Sequence, residues 1–283
     1  METQFFTPQE ITNYYCDIGQ KKAQLSMTKQ FVLGIMAGAF IAFASQGSNQ
    51  AIHTISSIGI AKTVAGALFA CGLMLVVIAG GELFTGNCLM IISCVKKRIT
   101  ALSMLRAWAV VYLGNLAGSL IIVFLILNSG QLDFSGGMLG GFTIKTAVYK
   151  AGLSFGKAFC MGVLCNVLVC AAVWMAAAAK DISGKIWAIF FPIWLFITSG
   201  FEHCVANMYY IPAGILAKSN AAWVSRAIEL GVKAEQIAAL DVKAFLLGNL
   251  LPVTLGNIAG GAVMIGLVYA FVYLSKSNAM GNA

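Results

Sequence analysis

The sequence predicts an all-α membrane protein in which six transmembrane helices form a 3+3 inverted repeat, with the middle helix of each half broken. Three observations carry this. Of 283 residues, 60% are hydrophobic and 10% charged, with a mean hydropathy of +0.87, the composition of an integral membrane protein. Two apolar segments are too long for a single crossing: Thr63 to Val95 has 33 residues with Glu82 as its sole charge, and Ile186 to Leu216 has 31 with no Lys, Arg or Asp. As one helix the second would be about 46 Å long, against a hydrocarbon core of about 30 Å. The third observation is repetition. Gly80-Gly81-Glu82-Leu83-Phe84-Thr85-Gly86-Asn87 and Gly200-Phe201-Glu202-His203-Cys204-Val205-Ala206-Asn207 share G-x-E-x-x-x-x-N, and Leu113-Gly114-Asn115-Leu116-Ala117-Gly118 returns as Leu255-Gly256-Asn257-Ile258-Ala259-Gly260. Two matches in the same order at similar offsets indicate an internal duplication.

In chain order, residues 1–28 form an amphipathic segment. Thr7-Pro8-Gln9-Glu10 gives a capping hydroxyl, a proline at the first helical position and a glutamate at the third, a helix start. Ile11, Tyr14, Tyr15 and Ile18 then share a face, with Lys21 and Lys22 beyond, which places the helix on the membrane surface or under a pore mouth. The transmembrane domain covers 29–276, with spans near 30–49, 63–95, 104–128, 154–179, 186–216 and 244–274. Repeat A is about 30–128, repeat B about 154–274, and 277–283 is a tail. Three spans per half force inversion, because an odd number returns the chain on the opposite side. The cluster Lys96-Lys97-Arg98 in a short loop favours cytoplasmic termini in a plasma membrane. Gly34, Gly38, Gly114, Gly118, Gly256, Gly260 and Gly261 on the spans predict close helix packing.

The formal charge of +8 sits in loops and span ends without interleaved aromatics, so nothing points to nucleic acid. Of eight cysteines, seven fall in apolar spans and none forms C-x-x-C, so they are read as small buried hydrophobes rather than metal ligands. No cofactor motif or catalytic constellation is present, and neither an enzyme nor a cofactor is expected.

The residues able to carry chemistry cluster at the two breaks, the second placed at Ser199-Gly200. His203 at membrane depth can hydrogen-bond an anion or exchange a proton near neutral pH, whereas His53 belongs to a polar loop. Thr85 lies opposite His203 if the halves pack about a pseudo-two-fold axis. Glu82 and Glu202, just inside the helix restarts, are expected to accept backbone N–H bonds. Asn87, Asn115, Asn166, Asn207 and Asn257 stand at matching depths to satisfy backbone groups freed by the breaks and to touch a permeant. Leu73, Leu83, Phe84 and Phe196 are core residues or rings around a pore, where they resist a hydrated ion.

The runs GELFTGN, SGFEHCVANM, IPAGI and PVTLGN resemble the signatures of the formate/nitrite transporter family, over about residues 8–275. The resemblance implies an aquaporin-like protomer, a homopentamer with one pore per protomer, and passage of small monovalent anions such as formate, nitrite or hydrosulfide. It makes His203 the central histidine, Thr85 the threonine of the upstream break, and Leu73, Leu83, Phe84 and Phe196 the constriction. It matches Lys150 in TAVYK to the family's lysine between spans three and four, which would draw anions to an outer vestibule. It also links the N-terminal helix to gating. Cys204 stands where family members have serine after the histidine, and Gly86-Asn87 flanks Thr85, so the choice among formate, nitrite and hydrosulfide stays open, as does coupling to protons. A neutral-solute pore is disfavoured: Asn87-Cys88-Leu89 and Asn207-Met208-Tyr209 replace the Asn-Pro-Ala turns of a water channel.

Overall fold

The computed structural model describes residues 5–274, so the tail expected at 277–283 lies outside the described residues. Apart from one isolated bridge, Phe5 to Ala179, the secondary structure is helical. Helix α1 (Pro8–Gln24) precedes α2 (Met27–Ile52), α3 (Ile58–Gly80), α4 (Phe84–Val95) and α5 (Ala101–Asn128). Then come α6 (Met138–Ala151), α7 (Phe155–Ala178), α8 (Ile182–Ser199), α9 (Cys204–Ala217), α10 (Ala221–Glu229), α11 (Ala234–Ala238) and α12 (Ala244–Leu274). Among the described residues, α2, α3, α5, α7, α8 and α12 are long and apolar enough to cross a membrane, while α4 and α9 are shorter apolar helices. The chain is an integral, multi-pass membrane protein.

Sequence dictates where the helices stop. Helix α3 ends in a π turn, Leu75–Gly80, whose last residue has φ +94°. Only glycine takes that conformation without strain, and Gly81 to Leu83 then run extended into α4. Helix α8 ends at Gly200 with φ +76°, a left-handed C-cap, and three more non-helical residues lead into α9.

Packing pairs α2 with α5, α7 with α12, and α3 with α8. The first two crossings depend on absent side chains. A Cβ on Gly114 would lie 2.6 Å from Phe31 O and one on Gly256 2.2 Å from Phe159 O, distances that backbone atoms cannot relieve. At these crossings Gly34 meets Gly114 and Gly162 meets Gly256, so close contact replaces the hydrophobic driving force that lipid removes.

Two expectations need correction, the docked face of α1 and the burial of every span cysteine, while His53 lies in the turn after α2 as expected. In α1 the buried face is Ile11, Thr12, Tyr15, Cys16, Gly19 and Ala23, with Tyr14 43% exposed. This helix packs on α4 and α12, because Gly19 lets it approach Ser93, whose hydroxyl donates to Tyr15 O and Cys16 O. His53 is the C-cap of α2, its ring against Gln50 O and Ser135 Oγ. Cys71 and Cys160 are exposed on outward faces; all eight thiols are unbridged.

Candidate functional site

The two non-helical connections are held by matching side chains. At the first, Asn115 Nδ2 donates to Gly34 O and Glu82 O (2.8 and 2.9 Å), and its Oδ1 accepts from Phe84 N at 3.0 Å. At the second, Asn257 Nδ2 donates to Gly162 O and Glu202 O (2.7 and 3.1 Å), and its Oδ1 accepts from Cys204 N at 2.9 Å. One buried amide per connection thus satisfies three backbone groups that the helix interruption leaves open. Glu82 N and Glu202 N are satisfied in the same way, by Leu33 O and Met161 O.

The two carboxylates also match, though not as expected. They accept side-chain donors, not backbone N–H groups. Lys22 Nζ lies 2.8 and 2.7 Å from the Glu82 oxygens and donates to Asn87 Oδ1, while Asn87 Nδ2 donates to Glu82 Oε2. Lys150 Nζ lies 2.8 Å from Glu202 Oε1, and Asn207 and Asn249 donate to Glu202 Oε2. The reason is geometric: α1 and α6 each end beside a connection and deliver a lysine four residues before the N-cap of the next span, Ser26 or Ser154. An ammonium outcompetes a backbone N–H for an otherwise buried carboxylate.

Between the connections the halves meet. Thr85 Oγ1, at the start of α4, is 2.9 Å from His203 Nε2, and both residues are buried. His203 is also the N-cap of α9, with Nδ1 accepting from Ala206 N at 3.1 Å. A backbone N–H can only donate, so Nδ1 must be the bare nitrogen. The neutral ring therefore carries its proton on Nε2 and donates it to Thr85 Oγ1, which leaves the threonine hydroxyl hydrogen for a third group.

Leu73, Leu83, Phe84 and Phe196 are all buried. The Phe196 ring stands 6.1 Å from the His203 ring and edge-on to Phe69 at 5.7 Å, and Phe84 is wedged against Tyr112 and Trp108. A cavity of about 500 Å³ beside α1 is lined by Lys22, Glu82, Asn87, Gly86, Leu73 and Leu83. His203 and Thr85 are not part of its lining.

The other expected site residues divide by what their polar atoms already do. Asn166 Nδ2 donates to Thr85 O and Asn257 O, so Asn166 and Asn257 hold backbone and present no free N–H to a permeant. Asn207 Oδ1 is buried with no partner among the described residues. Lys150, expected to draw anions to an outer vestibule, has a side chain 13% exposed and paired with Glu202 at 2.8 Å. Sequence reasoning missed Lys22 and Asn249. Lys22 was legible in principle, since Lys22 and Ser26 repeat the spacing of Lys150 and Ser154; Asn249 has no counterpart that would mark it.

Known proteins resemble this chain in sequence and in fold. The family description "Formate/nitrite transporter" matches residues 9–271. The formate channel FocA of Haemophilus influenzae is 41% identical over 277 residues, 96% of this chain and 95% of that one. FocA of Escherichia coli is 36% identical, covering 93% of this chain and 92% of the relative. Among solved structures, a pentameric formate channel with formate bound superposes with a TM-score of 0.77 at 37% identity, covering 88% of this chain and 98% of that chain. An ion channel of the same family superposes with a TM-score of 0.76 at 28% identity over 93% of this chain and 98% of that one. These proteins are channels and transporters rather than enzymes. Matched over nearly its whole length in sequence and in fold, the chain belongs to the formate/nitrite transporter family.

Proposed function

We propose that this protein is a channel for small monovalent anions, with formate the best-supported substrate, and that it works as a homopentamer with one pore through each protomer. The observation that carries this reading is the Thr85–His203 contact, where the two interrupted segments meet behind apolar rings. Formate channels at 36–41% identity support the substrate, and the pentameric relative supports the assembly. On this reading α3–α4 and α8–α9 are the broken helices of an inverted repeat. Cytoplasmic termini in a plasma membrane complete it.

A bare anion at Leu73, Leu83, Phe84 and Phe196 loses hydration at a cost of several kcal/mol, on the order of that for any unpaired buried charge, and its neutral acid loses far less. The Thr85 hydroxyl, polarised by His203 Nε2, is the donor that can meet the permeant there. Proton transfer balances if His203 takes a solvent proton at Nδ1, giving up its bond from Ala206 N, and passes its Nε2 proton through Thr85 Oγ1 to the anion, so that the neutral acid crosses the rings and His203 is again neutral.

His203→Asn tests this, because Asn is a good N-cap and can keep the Ala206 bond while losing the partner of Thr85 and any titration between about pH 5 and 8. Reconstituted wild-type protein should admit formate, with nitrite and hydrosulfide run in parallel to rank the anions. The variant should lose weak-acid uptake at about pH 5 to 6. Unchanged formate and nitrite flux in a folded, pentameric variant removes His203 from the mechanism.

A further inference from the structure

One stripe of α3 faces α8 and the histidine: Lys62, Gly66, Phe69 and Leu73, spaced four, three and four apart. Leu73 is at the proposed constriction. Phe69 packs edge-on to Phe196, and Gly66 fits under Trp194 and Thr198. Lys62 ends this stripe about 16 Å from Leu73 at helical rise.

Its ammonium leans over the second connection, with Nζ 2.9 Å from where a Cβ on Gly200 would stand; glycine there leaves the space that the ammonium occupies. Among the described residues this ammonium makes no hydrogen bond or ion pair, although Lys62 is close enough to Lys150 and Glu202 for their charges to act on it. Those two cancel each other at 2.8 Å. The net positive charge beside Gly200 is therefore carried by Lys62. Helix stability does not explain it, since a cation near the N-terminus of α3 opposes the helix dipole.

We infer that Lys62, rather than Lys150, is the residue that captures the permeant anion at the mouth beside Gly200. This rests on the anion-channel reading above. An unpaired ammonium above Gly200 concentrates anions locally, and the neighbouring lysine–glutamate pair adds no second uncompensated charge.

The test is initial-rate formate uptake into proteoliposomes with wild-type protein, Lys62→Gln and Lys62→Arg, at low ionic strength and again with an impermeant salt. In Lys62→Gln the half-saturating formate concentration should rise about three- to tenfold at low salt, with maximal flux and melting temperature unchanged. Lys62→Arg should restore it, and the curves should converge as salt shortens the screening length toward about 3 Å. A half-saturation equal to wild type at low salt overturns the inference. So does a lower melting temperature with reduced maximal flux and unaltered half-saturation, which would make Lys62 a structural partner of the end of α8. Wild-type protein that passes no monovalent anion defeats the anion-channel reading itself; wild-type flux with an unaffected Lys62→Gln defeats only this inference.

Discussion

Asn115 and Asn257 hold the two connections with identical sets of three bonds, so their truncation should carry similar costs. Each Asn→Ala change strands one backbone N–H and two carbonyls in a buried place, at about 1–3 kcal/mol for each group that finds no water. Both variants should melt well below wild type in detergent, and by similar amounts; a large inequality would mean that the two connections are not equivalent. The ion pairs differ in a way that also predicts an order. Side-chain exposure is 26% and 10% for Lys22 and Glu82 but 13% and 1% for Lys150 and Glu202. Removing one partner of a buried pair costs about 3–5 kcal/mol and less where water can reach the remaining charge. Lys150→Met should therefore lower the melting temperature more than Lys22→Met. Sequence made His203, Thr85 and both glutamates legible as site residues, because ionisable and polar groups are conspicuous in apolar runs. It also marked the asparagines as holding backbone but could not say which groups Asn115 and Asn257 hold, since their partners lie 31 to 95 positions away.

Helix α1 shows what periodicity can and cannot reveal. Thr7 and Glu10 form the capping box that the sequence predicts. Bonds from the Thr7 backbone and hydroxyl hold the Glu10 carboxyl below its ordinary pKa. A lowered carboxylate pKa contributes stability above the ordinary value and loses it as pH falls through the lowered one, so the first turn of α1 should fray only in acid. Protection of the Glu10 and Ile11 amides, measured against the intrinsic exchange rate at each pH, should fall as the Glu10 carboxylate is protonated. The docked face was misjudged because large apolar residues were weighted over small ones. Gly19 and Cys16, invisible to a hydrophobicity count, set the contact with α4. A Cβ on Gly19 would lie 2.0 Å from Ser93 Oγ, so Gly19→Val should lift α1 from the bundle. Faster proteolysis of the first 24 residues with the spans intact is the expected signature, and unaltered cleavage would place the anchor elsewhere, at the Lys22–Glu82 pair.

For the whole molecule, the question is whether one chain holds a complete pathway. The Thr85–His203 contact joins the two halves of a single chain, and the rings around it are buried within the same chain. A pore shared among five copies would instead need its polar residues on outward faces, and those faces carry Phe43, Phe124, Phe191 and Phe271, side chains suited to lipid or to a neighbouring copy. The outcome can be read in mixed pentamers. Gly86 lines the cavity beside α1, and a Cβ there meets only Val173 Cγ2 at 3.8 Å. Gly86→Phe should thus fill the cavity of its own protomer while the fold and assembly persist. Native mass measurement should first give a species of five 29.9 kDa chains for wild type and variant alike. When the two are co-reconstituted in varied ratio, one pathway per chain requires formate flux to fall in proportion to the blocked fraction. A shared pathway would give almost no flux once half the subunits are blocked, because hardly any pentamer would then lack a blocked copy.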